Sequence, residues 1–60
     1  MKTRDWFRLI LKEFGRGRKT VYIPTDEPRK MRERLRYYKR KQAAQMRFVI
    51  STGAVMVIKI

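Results

Sequence analysis

Between residues 29 and 41 the chain sets Arg29, Lys30, Arg32, Arg34, Arg36, Lys39, Arg40 and Lys41 around a single acid, Glu33. At the roughly 100° per residue of an α-helix, Arg29, Arg36 and Arg40 fall opposite Met31 and Leu35, with Lys30, Tyr37 and Lys41 to one side. A solvated helix face ordinarily mixes signs, and this one hardly does, so its self-repulsion calls for a counterion. The chemistry such a strip serves is the neutralisation of a polyanion, and its row of cations matches the negative charge spacing of a nucleic-acid backbone. Tyr37 brings an aromatic ring to the same strip, a group able to stack on a base or lie against a sugar. Tyr38, about 100° further round, belongs with the apolar side.

A second cationic cluster, Arg16, Arg18 and Lys19, lies in Gly15-Arg16-Gly17-Arg18-Lys19, where the glycines let backbone N–H groups approach an anion closely. This Gly-x-Gly lacks the third glycine of a dinucleotide fingerprint and the Gly-Lys-Ser/Thr ending of a P-loop, so nucleotide hydrolysis has no support. The candidate binding residues are therefore Arg16, Arg18, Lys19, Arg29, Lys30, Arg36, Tyr37, Arg40 and Lys41.

Other chemistries lack their parts. The chain has no His and no Cys, which removes the usual zinc ligands, thiol nucleophiles and imidazole bases. Its acids are Asp5, Glu13, Asp26, Glu27 and Glu33, and the one adjacent pair, Asp26-Glu27, is explained by helix initiation. Ser51 has no base to activate it. The expectation is a non-enzymatic protein with no metal and no cofactor.

The elements that must carry these residues are few, because 60 residues build one small core and a single domain. Residues 3–14 predict an amphipathic helix, with Trp6, Ile10, Phe14, Phe7 and Leu11 on one face, Leu9 at its margin, Thr3 as N-cap and Gly15 as the left-handed terminator. Trp6, Phe7 and Phe14 occur at helical spacing and read as core. A basic loop at 15–19 leads to a β-rich run at 20–24 that Pro24 stops. Thr25 or Asp26 caps a second helix over about 26–45, Glu27 and Pro28 suit its first turn, and Met31, Leu35, Tyr38 and Met46 form its apolar stripe. Two further β-rich runs about Thr52-Gly53 predict a hairpin over 47–60.

With a two-residue loop, Phe48, Ile50, Val55 and Val57 share one hairpin face, and Val49, Met56, Ile58 and Ile60 share the other. Both faces are apolar and each calls for cover, from the two helices on opposite sides or from a second subunit, so a homodimer enters the expectation. The fold class predicted is α+β in the order α-β-α-β-β, a three-stranded sheet whose last and most apolar strand is central.

Charge and hydropathy bound the rest. The 17 Lys and Arg against 5 Asp and Glu give a formal charge of +12, while 43% apolar residues support a folded chain rather than a basic tail. No uninterrupted apolar run at the start suits a signal peptide, and the run at 48–60 is too short to span a bilayer, so a cytoplasmic protein is expected. The first helix has the face of a membrane-surface helix, but the hairpin needs that face, so no membrane association is expected.

The order Val21-Tyr22-Ile23-Pro24, a Pro-started basic helix containing Arg36-Tyr37-Tyr38, Arg47-Phe48 and a closing Val55-Met56-Val57-Ile58 resembles small basic proteins of tailed bacteriophages and prophages. The resemblance covers residues 20–60 and implies an accessory role in a phage or mobile element; it carries over no binding residue. The function expected from the residues is phosphate-dominated binding of DNA or RNA. The alternative is a protein-interaction module that docks an acidic surface of a host protein and inhibits it, with Tyr37 as the anchor.

Overall fold

In the computed structural model, which describes residues 2–60, α1 (Thr3–Gly15), β1 (Thr20–Pro24), α2 (Pro28–Lys41), β2 (Met46–Ser51) and β3 (Ala54–Lys59) follow one another in an α+β arrangement. The strands form one antiparallel sheet in the order β1-β3-β2, with β3 central as its apolar composition predicts. Val57 lies between Val21 and Phe48, and Val55 between Ile23 and Ile50, so these six side chains share a face. Ser51 pairs with Ala54 across a two-residue turn, and Gly53, at φ 71°, takes the left-handed position that a β-carbon would disfavour. The Gly53 carbonyl accepts the Thr25 N–H at 3.0 Å, tying this turn to the end of β1.

Both helices end in the same hydrogen-bonded device, and it corrects two sequence expectations. At α1, the Arg18 N–H donates to the Glu13 carbonyl and the Gly17 N–H to the Phe14 carbonyl, both at 3.1 Å. This is a Schellman motif, and its left-handed residue is Gly17, at φ 97°, rather than Gly15, which remains helical. At α2, the Ala44 N–H donates to the Lys39 carbonyl at 3.0 Å and the Ala43 N–H to the Arg40 carbonyl at 3.3 Å, with Ala43 itself at φ 51°. The helix therefore stops at Lys41 instead of continuing to 45. Met46, expected on the helical stripe, opens β2 and is buried there, so the hairpin begins one residue early.

The starts differ too. Lys2, not Thr3, occupies the N-cap of α1, without a side-chain cap bond. In α2 Pro28 sits in the first turn as expected, but Glu27 is the N-cap, and Thr25 acts one step earlier by accepting the Glu27 N–H on its Oγ1 at 3.1 Å.

Ala43 bears the left-handed strain that Gly17 avoids, and the space around Gly17 is open, so the two positions form a matched test. Ala43→Gly should stabilise the fold by about 0.5–1 kcal/mol, the left-handed cost of alanine less the extra backbone entropy of glycine. Gly17→Ala should destabilise it by about 1–2 kcal/mol. Urea midpoints moving in opposite directions check both, since the surface exposed on unfolding, and with it the slope, stays constant.

The core joins Phe7, Ile10 and Phe14 of α1 and Met31 and Leu35 of α2 to Val21, Ile23, Met46, Val55 and Val57 of the sheet. Trp6, Tyr38, Ala44 and Phe48 pack against its margin. Because both helices join one cluster with one set of inward strand positions, they cover the same face of the sheet. The expected placement on opposite faces is thereby corrected. The outer face carries Thr20, Tyr22 and Pro24 on β1, Ala54, Met56 and Ile58 on β3, and Arg47, Val49 and Ser51 on β2. Tyr22 is 63% exposed there, and Arg47 is the face's single charge.

Candidate nucleic-acid interface

Apart from Tyr37 and Tyr38, the interior of α2 is Arg, Lys, Glu, Met and Leu, whose unbranched or γ-branched side chains lose little rotamer freedom in a helix. The helix docks through Met31 and Leu35, its two buried residues, and its charges lie on the remaining surface, except that Arg32 is half-buried and its Nε is covered. Lys39, Arg40 and Lys41 occupy the last turn, where the negative end of the helix dipole favours them. Arg29, Arg36 and Arg40 are exposed on the outward side and Lys30, Tyr37 and Lys41 on the flank, so the six α2 candidates form one continuous surface.

The acids neutralise part of this charge. Lys30 Nζ lies 3.4 Å from Glu27 Oε1, and Glu33 Oε1 takes Arg36 Nη1 at 3.5 Å and Arg32 Nη2 at 3.7 Å. Such exposed pairs contribute about 0–1 kcal/mol each, so a phosphate competes with them readily. Among the described residues Arg29, Arg34, Arg40 and Lys41 pair with no acid.

The loop candidates lie apart. Glu13 draws Arg18 back onto α1, with Nε to Oε2 at 2.8 Å, and holds Arg16 more loosely at 3.7 Å. Its backbone carbonyl also receives the Arg18 N–H, so one residue fixes both ends of Arg18. Arg18 and Lys19 border a depression with Gly17, Lys59 and Ile60, which contains no residue of α2. The loop is thus a separate basic patch.

On the flank of α2 the surface is concave. Lys2, Thr3 and Arg4, at the start of α1, face Met31, Arg34, Tyr37 and Tyr38 across a groove of about 620 Å³ whose walls contain no acid. A neighbouring depression of about 400 Å³ is bounded by Tyr37, Arg40, Lys41 and Glu33. Tyr37 is 58% exposed and meets Tyr38 edge-on, with centroids 5.2 Å apart at 87°. Tyr38 in turn lies 5.8 Å from the buried Phe7 ring, and Lys41 Nζ sits 5.8 Å from the Tyr37 centroid. On the other side of α2, Arg32, Arg36 and Lys39 share a depression with Arg47 and Phe48 of β2, Lys39 Nζ standing 5.9 Å from the Phe48 ring.

Sequence reasoning missed Lys2, Arg4 and Arg34. Arg34 was accessible to it, since on the helical wheel it falls between Tyr37 and the Met31 stripe. Lys2 and Arg4 reach the groove only because α1 packs against α2, and no local signal encodes that approach.

The molecule is thus a small α+β domain with a basic helix on one side of an antiparallel sheet. No protein-family model, curated protein or solved structure matches the chain. Among the described residues no helix is long and apolar enough to cross a membrane.

Proposed function

We propose that the protein binds nucleic acid, DNA or RNA, chiefly through phosphate contacts along α2. The observation that carries this reading is the exposure of Arg29, Arg34, Arg40 and Lys41 without an acidic partner among the described residues. Cations left unpaired on a chain of charge +12 repel one another, and condensing them on a polyanion relieves that repulsion while releasing counterions into solution. Phosphate contacts position the protein without reading sequence, which suits an accessory factor of a phage or mobile element, the group that residues 20–60 resemble.

Fluorescence anisotropy with labelled duplex DNA, single-stranded DNA and single-stranded RNA at 50 mM salt tests the proposal. Submicromolar binding to at least one polymer is the expected result. Negligible binding to all three overturns it and leaves the acidic surface of a protein as the counterpart of the basic helix.

A further inference from the structure

The groove at the start of α1 and the depression beyond it share one wall, and that wall is Tyr37. On one side of the ring stand Lys2, Arg4 and Arg34, and on the other Arg40 and Lys41, with Glu33 at the border of that depression, drawn toward Arg32 and Arg36. More than half exposed, the Tyr37 ring still has an aromatic neighbour. Tyr38 meets it edge-on and lies in turn beside Phe7, so a chain of three rings runs from the core to the surface. The result is an exposed ring, set edge-on against a ring that reaches the core, with cations on both sides.

A duplex keeps its bases stacked on one another and offers this ring only sugar and phosphate. A single strand offers an unpaired base face with a phosphate before and after it, the same alternation that the groove, the ring and the depression present. We infer that Tyr37 stacks on an unpaired base of single-stranded nucleic acid while Lys2, Arg4 and Arg34 take the phosphate on one side and Arg40 and Lys41 that on the other. This rests on the nucleic-acid reading above and narrows it to single strands. Stacking is tolerant of base identity, so the site discriminates strandedness rather than sequence.

The test compares the wild-type chain with Tyr37→Phe and Tyr37→Leu on single-stranded DNA, single-stranded RNA and duplex DNA of equal length, at one salt concentration. Stacking on one aromatic ring predicts that Tyr37→Leu weakens single-strand binding about tenfold or more, Tyr37→Phe retains it, and duplex binding changes little. The double variant Arg4→Gln/Arg34→Gln, which leaves the ring in place, should also weaken single-strand binding. The two single-stranded arms show whether the sugar matters to the site. Equal losses on single strand and duplex, or no loss with Tyr37→Leu, overturn the inference while leaving nucleic-acid binding standing. Absence of binding by the wild-type chain to every polymer overturns the broader reading and this one with it. Thermal melts of the variants confirm that an unfolded chain is not the cause of a loss.

Discussion

Replacing Arg29, Arg36 and Arg40 together with glutamine is expected to weaken nucleic-acid binding roughly 10²–10³-fold at 0.1 M salt. The three lie on the exposed side of α2, opposite its buried Met31 and Leu35, so they take no part in the core. Each cation that neutralises a duplex phosphate contributes about 0.9 to the slope of log affinity against log salt, so the triple variant should lower that slope by about 2.7, or about 2 on a single strand. For the unaltered chain, six phosphate contacts predict a fall of about a thousandfold on duplex between 50 and 200 mM salt. The variant should melt close to the wild type, because the exposed Arg36–Glu33 pair it loses and the repulsion between Arg36 and Arg40 it relieves, four residues apart, are of similar small size. A loss below tenfold with an unchanged salt slope would show that the outward strip is not the contact surface.

Leu35→Ala should have the largest effect on the fold. Leu35 is fully buried at the centre of the single core, where α2 meets α1 and the sheet. Truncating a buried leucine costs about 2–5 kcal/mol, through lost transfer free energy and the cavity left behind. A chain of 60 residues has a total stability of about 3–9 kcal/mol, so one substitution removes a large part of it. The expected drop in melting temperature is about 15–40 °C, measured by circular dichroism. Leu11→Ala, at a position more than one-third exposed, is the control and should shift the melt little. A Leu35→Ala melt within a few degrees of wild type would contradict the described core. Salt acts on the two properties in opposite directions, since screening the +12 self-repulsion firms the fold while it loosens the polyanion.

The elements were legible because each carries its own local chemistry. Pro24 ends β1, Pro28 opens α2, and Thr52-Gly53 supplies the two-residue turn, all without reference to distant residues. The central place of β3 followed from its lack of polar alternation. The end of α2 was obscured because Ala43, Ala44 and Gln45 are compatible with a helix and Met46 continues its stripe. What decides the matter is that Met46 buries equally well as the first inward residue of β2, and the Schellman turn at Ala43 brings it there. The same limit governs the site. The outward arginines of α2 were visible in the wheel, whereas the partnership of Lys2 and Arg4 with Tyr37 depends on how one helix lies on another.

The order of the strands bears on how the chain is made. β1 and β2 have no hydrogen bonds to each other, and each is held in the sheet only by β3. During synthesis at about 5–20 residues per second, β1 emerges a few seconds before its partner, and no part of the sheet can close in that interval. All but one of the 17 Lys and Arg residues precede β3, so these cations are strung along the chain before the sheet that arranges them can form. The shaped basic surface therefore waits on β3, the one strand that holds the other two together.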